Sequence, residues 1–349
     1  MSATPKRRAW RLLAVTTAAA TALTLAACSS NDAGDSKDAK ASITLYSGQH
    51  EKLAKALAAD FEKSTGIHVD VRAGKDSEMT GQIVEEGDRS KADVVITEEP
   101  GPMAGLDAKG LLAPVDKAVL SVPDQRFVPS TGNWLPMAVR ARVMYYAPSK
   151  ISEAQLPPSI LDLTKPEWKG KFAYAPSGAF KSTTAYLINT IGKDRTLEWL
   201  KGIKENGVNE QSNGKVRDSV EAGQHEFGLS NHYYWYIMAK DKGGQDKVSS
   251  RVHYLNNDDA GALMLASGAA VLKSSSHQKE AGEFVKWLSA AGGGQQVVAQ
   301  QSPQFPATPG VTSSYGLPDL KSLTFPKFDQ ASLKNTDEAN ELLKQSGIV

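Results

Sequence analysis

The 349-residue sequence has a single cysteine, Cys28, so no internal disulfide can staple the fold and no cysteine cage can hold a metal. It also lacks a positive excess once its first residues are set aside. Lys6, Arg7, Arg8 and Arg11 belong to the 40 lysines and arginines; without them 36 remain against 39 aspartates and glutamates, a net charge of about −3. Such a body has no basic face of the kind that nucleic-acid binding needs. The apolar run at 12–27 has 16 residues, short of the roughly 20 that cross a bilayer as a helix, and no other run reaches that length. Signatures of catalysis are missing as well. His50-Glu51 and His225-Glu226 each open like a zinc-protease helix but lack the second histidine. Ser267-Gly268 has no G-x-S-x-G elbow around it, and no Walker loop or dinucleotide fingerprint occurs. These absences speak against an enzyme. What remains is 40% hydrophobic and 23% charged, a composition that supports a sizeable core in two or three domains or one large two-lobed unit.

The first segment reads as an address. Four basic residues precede the 12–27 run, which closes Leu25-Ala26-Ala27-Cys28. Small residues before the only cysteine resemble the lipobox of bacterial lipoproteins, which implies a diacylglyceryl group on the Cys28 sulfur and cleavage before it. An ordinary signal peptide with an incidental cysteine is the plainer alternative. Arg7-Arg8 also matches the pair of twin-arginine signals, without deciding the export route. Residues 28–41 hold no large apolar side chain and read as a disordered polar tether.

Beyond the tether, strand and helix patterns alternate. Residues 43–46 form a short strand; Leu53, Leu57 and Phe61, four apart, mark a helix over 49–65 that Gly66 ends. A half-buried strand follows at 67–71, a helix that closes near Gly87, and a buried strand at 92–96. A longer strand runs over 138–146 with Arg140 and Arg142 on one side. After Pro157-Pro158 come a strand at 171–174, helices near 180–192, 194–205 and 215–222, and a strand at 227–230. The last third is helical around 277–290 and then loop-rich, with five prolines from Pro303 to Pro326. This alternation predicts an α/β protein with a mainly parallel sheet, and ligands in such sheets lie beyond the carboxyl ends of strands.

The most unusual segment is Asn231-His232-Tyr233-Tyr234-Trp235-Tyr236, directly after a strand. With Asn231 as N-cap, Tyr233 and Tyr234 fall in the first turn of a helix, beside the positive end of its dipole. Phenols titrate near pH 10, so ionising both at neutral pH needs a strong cation, and a hard trivalent ion such as Fe³⁺ would serve. A packed aromatic cluster, or a stacking platform for a sugar, is the alternative. Two more strand-end positions carry polar groups: Ser47-Gly48-Gln49-His50, and Ala92 to Glu98, whose last residue is acidic.

At these motifs the chain resembles the ferric-ion-binding proteins of bacterial iron(III) ABC importers, the bacterial transferrins. YSGQH at 46–50 is similar to the family's first strand-loop, and ADVVITE at 92–98 to the segment whose closing glutamate binds iron. Trp168-Lys169-Gly170-Lys171 with Ser177-Gly178-Ala179-Phe180 resembles its anion loop, and Asn231 to Tyr236 its paired-tyrosine segment. Stretches 199–207, 259–263 and 267–273 continue the likeness. The resemblance implies a periplasmic-binding-protein-like α/β fold, with two lobes, a central cleft and two crossover strands. It implies Fe³⁺ held by His50, Glu98, Tyr233 and Tyr234, with two phenolates and one carboxylate balancing the ion. It further implies an accompanying anion, phosphate or carbonate, at Ser177, Gly178, Ala179, Asn213 and Asn231. Two departures from the family's pattern stand out. Glu99 occupies a position where many relatives carry glutamine, and could disfavour the anion or compete as a ligand. His232 stands where an asparagine is common. Arg142 is a further candidate to hold carbonate.

The domain plan that follows is a signal at 1–27, a tether at 28–41, lobe 1 at 42–138 and 264–314, lobe 2 at 139–263, and a C-terminal segment at 315–349 packing on lobe 2. The expected function is that of a monomeric lipid-anchored protein on the outer face of a cell membrane. It would capture Fe³⁺, bare or as a small chelate, and deliver it to an ABC permease. The alternative is the same clamp closing on a sugar, polyamine or phosphonate.

Overall fold

The computed structural model describes residues 41–349. The signal at 1–27, Cys28 and all of the tether except Ala41 lie outside the described residues. The chain opens with β1 (Ser42–Ser47), α1 (Glu51–Thr65), β2 (His68–Ala73), α2 (Asp76–Glu86), β3 (Val94–Thr97), α3 (Pro100–Ala108) and the single turn α4 (Lys117–Leu120). β2, β1 and β3 run parallel, as crossovers through α1 and α2 require. In α1 the buried face is Leu53, Leu57 and Phe61, and Gly66 ends it in the left-handed region at φ 80°.

β4 (Leu135–Tyr146) is the spine. All twelve of its residues are buried, which at ~3.3 Å per residue gives a covered rod about 40 Å long. Its first part pairs antiparallel with β9 (Met264–Val271) up to Ala141; from Arg142 onward it pairs with the strand Phe227–Asn231. One strand therefore belongs to two half-sheets, and the transfer falls between Ala141 and Arg142. Burial on both faces also erases the alternation expected of a surface strand.

The second half-sheet follows: β5 (Phe172–Tyr174), α5 (Gly178–Ile191), α6 (Lys193–Asn206), β6 (Val208–Asn209), α7 (Asn213–Glu221), β7 (Phe227–Asn231), α8 (His232–Asp241) and β8 (Arg251–His253). β5 is parallel to both β6 and β7. β9 then returns to the first half, antiparallel to β3 and β4, followed by α9 (Gln278–Ser289), α10 (Gly294–Gln301) and β10 (Phe305–Pro306), which pairs with β4. Each half has its own core. Phe61 meets Phe284 and Trp287 in the first, and Phe172, Phe227, Phe180 and Trp199 pack ring against ring in the second.

Most predicted elements appear within a few residues. α3, α4, α10, α11 (Thr336–Ser346), β6, β8, β9 and β10 lie outside the sequence expectations, and the sheet is mixed and not mainly parallel, since β4 and β9 pair antiparallel with their neighbours. α3 reads PGPMAGLDA, too rich in proline and glycine to look helical, yet proline suits its first turn. α11 packs on α5 and α6. The segment before it ties into the sheet: Gln330 accepts from Ala266 N at 3.1 Å and donates to Met264 O at 3.1 Å, reproducing a strand's bonds along β9. Leu333 beside it is fully buried, and the short helical turn Gln330–Lys334 packs on both α3 and α5.

His232 begins α8 completely buried, its ring stacked on Phe305 at 4.8 Å. Its Nδ1 accepts from Ala141 N at 3.0 Å, at the residue where β4 changes partners. Burial pushes its pKa down to about 3, so the ring is neutral. An unfolded histidine titrates near 6.5; between there and about 3 the unfolded chain binds the extra proton, and stability falls as pH falls through that window. We expect this group to contribute a loss of up to about 1.4 kcal/mol per pH unit. Urea unfolding at a series of pH values checks this: His232→Asn should flatten the slope below pH 6.5, and an unchanged slope contradicts it.

Candidate functional site

The first half of the site is built from two strand-end loops. Gly48 donates to Ile96 O at 2.8 Å, which stitches the loop after β1 to β3. Only glycine fits there, because a Cβ at 48 would lie 1.8 Å from Asp76 Oδ1. Gln49 is buried; its Oε1 accepts from His50 N at 2.9 Å, and its Nε2 donates to Ser267 Oγ at 3.1 Å. His50 occupies the N-cap position of α1 without a side-chain cap, which leaves its imidazole free to face the cleft.

The second loop is fixed by one carboxylate. Asp76, first residue of α2, accepts from Glu98 N through Oδ1 and from Glu99 N through Oδ2, both at 2.8 Å. Burial raises its pKa to about 7, although the two amides oppose the shift. Below both acids lies Arg140, 1% exposed. Its guanidinium donates to Glu98 Oε1 and Glu99 Oε1, each at 2.9 Å, and to the Glu98 carbonyl. Burial alone would lower the arginine's pKa, but Glu99 and Glu98 more than offset it and hold the cation charged.

The opposite half comes from the start of α8. Asn231 takes the N-cap position, yet its side chain does not cap; Arg142 Nη1 holds its Oδ1 at 2.8 Å, and Tyr145 Oη donates to its carbonyl. Tyr233 and Tyr234 follow with ring centroids 4.2 Å apart. Tyr233 is buried and donates to Glu98 Oε1 at 3.0 Å, while its ring meets that of His50 edge-on at 5.5 Å. Burial, then the Glu98 charge, pushes the Tyr233 phenol well above the usual range; burial also raises Tyr234.

Glu98 Oε1 is the point of convergence. Tyr233 Oη lies 3.0 Å away, Arg140 Nη1 2.9 Å and His50 Nε2 3.5 Å. Ser177, Gly178 and Ala179 open α5 on the far side, and Asn213 Nδ2 donates to Ser177 Oγ at 3.0 Å. Asn213 Oδ1 is buried without a hydrogen-bond partner. All nine predicted iron- and anion-site residues line one cleft of about 1120 Å³. Cys28 lies outside the described residues. Among the described residues no three His, Cys, Asp or Glu side chains gather at metal-binding distance, so any metal here needs the phenols as donors.

Two sequence expectations change on this geometry. Glu99 does not reach toward the ligand group as a competitor, for Arg140 and Ser182 hold both its oxygens. Arg142 is buried against Asn231 and does not line the cleft. The groups missed in the sequence are the supports: Asp76, Arg140, Ser182, and the Gln49–Ser267 pair. Asp76 opens a helix after a strand, the same kind of position that singled out His50. Arg140 signalled itself only as a charge inside an apolar strand.

The chain matches the family described as "Bacterial extracellular solute-binding protein" over residues 47–295. It is similar to the "Fe(3+)-binding periplasmic protein" of Serratia marcescens, 39% identical over 88% of this chain and 90% of that one. The "Major ferric iron-binding protein" of Neisseria meningitidis is 37% identical over 89% of this chain and 94% of its own. The crystal structure of iron-bound HitA from Pseudomonas aeruginosa superposes with a TM-score of 0.81 at 38% identity, covering 88% of this chain and 99% of that one. The two half-sheets are thus the two lobes of a periplasmic-binding-protein fold, joined through β4 and β9. By sequence, fold and the position of its cleft, this chain belongs to the bacterial extracellular solute-binding proteins, a family that carries solutes and does not transform them.

Proposed function

We propose that the chain captures ferric ion in this cleft through His50, Glu98, Tyr233 and Tyr234, and hands it to an ABC permease. The observation that carries the reading is the approach of the Tyr233 hydroxyl and the His50 imidazole to one oxygen of Glu98. Three anionic oxygens and one neutral nitrogen form a donor set suited to a hard trivalent cation. With no ion bound, the phenols stay protonated, because burial disfavours phenolate. Ferric ion supplies the charge that reverses this and releases phenol protons. Uptake therefore weakens as pH falls, by about tenfold per pH unit for each proton released. The relatives named above for ferric binding support the same cargo.

His50 and Glu98 stand on strand ends of one lobe and the tyrosines on the helix α8 of the other. An ion between them favours the closed arrangement by binding it better than the open one. The lobes we assign are 42–138 with 264–314, and 139–263; of the segment 315–349, α11 packs on the second while Gln330 is bonded to β9 of the first. An anion beside the ion would meet Ser177, Gly178, Ala179, Asn213 and Asn231. The organic-solute alternative is less well supported. Tyr233 and Tyr234 pack against each other, and a stacking platform needs free ring faces.

Lipid anchoring through Cys28 completes the proposal: the lipobox-like sequence and the polar tether would hold the lobes at the outer membrane face, near a permease. Among the described residues no helix is long and apolar enough to cross a membrane.

Protein mixed with ferric citrate should develop a visible phenolate-to-iron absorption band. Tyr233→Phe and Tyr234→Phe should each weaken the band and lower ferric affinity at least about tenfold, the equivalent of about 1.4 kcal/mol. A colourless ferric complex, or unaltered affinity in the double variant, overturns the reading; calorimetry against a sugar and polyamine panel then tests the alternative. For the anchor, Cys28→Ser should move the protein from the membrane fraction to the soluble fraction of cells. Retention of the variant in membranes removes that part.

A further inference from the structure

The anion end of the cleft already contains a carboxylate. A Cβ built on Gly178, the first residue of the fourteen-residue α5, would lie 3.0 Å from Glu99 Cγ and 3.2 Å from its Oε1. Glu99 is 7% exposed, and Ser182 of α5 donates to its Oε2 at 2.9 Å while Arg140 donates to its Oε1 at 2.9 Å. The acid thus reaches from the loop of one lobe to the helix start of the other, where the α5 dipole favours negative charge.

The charges around the ion then fix what else can enter. Arg142, pushed down to about 10 by burial, still carries its charge at neutral pH. Around a ferric ion stand Glu98, Glu99 and two phenolates, four negative charges, and Arg140 and Arg142, two positive ones. With the ion's three positive charges the group is left with one positive charge. Asp76, raised to about 7 by burial, is only partly ionised at neutral pH, and Lys181 at the cleft wall is only half-buried, so water screens it. A neutral side chain at 99 would leave two positive charges, a match for a dianion.

We propose that Glu99 determines the charge of the co-ligand that accompanies the ion, limiting it to water or one monoanion and excluding phosphate dianion. This rests on the ferric reading of the site. The excluded anion is disfavoured both by the like charge of Glu99 and by its hold on Ser182 and its seat against Gly178, which take up donors and space at the helix start.

The test uses the full-length protein and Glu99→Gln. Ferric affinity is measured at about pH 8, where inorganic phosphate is mostly the dianion, by chelator competition read from the charge-transfer band, with and without millimolar phosphate. In wild type, phosphate should change affinity less than about threefold, and phosphate assayed after acid release of the iron should be far below one per ion. In Glu99→Gln, phosphate should raise affinity at least about tenfold and shift the band. Equal phosphate dependence in both proteins, or stoichiometric phosphate in wild-type complex, overturns the role of Glu99 while leaving the ferric reading intact. The wild-type phosphate content decides the matter even if the variant does not fold. A wild type that forms no band with ferric salts overturns the underlying reading, and this proposal with it.

Discussion

A buried guanidinium organises the cleft. Arg140 lies on β4, inside the sheet, with two carboxylates and a carbonyl of the 98–99 turn drawn onto it. A cation buried this deeply is tolerable only with such partners, since an unpaired one would carry a desolvation penalty of several kcal/mol. The pairing has a geometric result. Arg140 holds Glu98 Oε1, the same oxygen that Tyr233 and His50 meet, and so fixes the place of convergence. Asp76 does the same for the backbone of that turn, and Gln49 for the loop that bears His50. Preorganisation of this sort lets binding energy go into the ligand and not into ordering the site.

The crossing strand joins these local contacts to the whole molecule. β4 exchanges β9 for β7 at Ala141–Arg142, and at that step His232 grips the amide of Ala141 while Arg142 grips Asn231. Both contacts reach the first turn of α8. The tyrosines are therefore set by the same strand that carries Arg140. The position of one half of the site relative to the other is therefore fixed through this one strand.

Much of this was legible in the sequence, and for definite reasons. Four-residue spacing of Leu53, Leu57 and Phe61 and the Gly66 stop gave α1 nearly to its ends. Strand-end loops drew attention to His50 and Glu98, and paired tyrosines after a strand are unusual enough to stand out. All of them meet in one cleft. The supports were hidden because their partners are remote in sequence: Arg140 lies 41 residues from Glu99, and Glu99 lies 83 from Ser182. Periodicity reports which face of an element is buried, not which polar group across the fold awaits it. Likewise α10 is a short helix that starts within the run Gly292-Gly293-Gly294, where local pattern is weakest and tertiary contact decides.

The tail has a mechanical bearing on the clamp. Gln330 is bonded to the main chain of β9, Leu333 is wedged beside α3, and Asn335 donates to Ala185 O on α5 at 3.2 Å. Gln330 therefore ties the tail to one half-sheet and Asn335, five residues on, ties it to a helix of the other. The tail is thus a strap laced across both half-sheets, a third length of chain between them beside β4 and the start of β9.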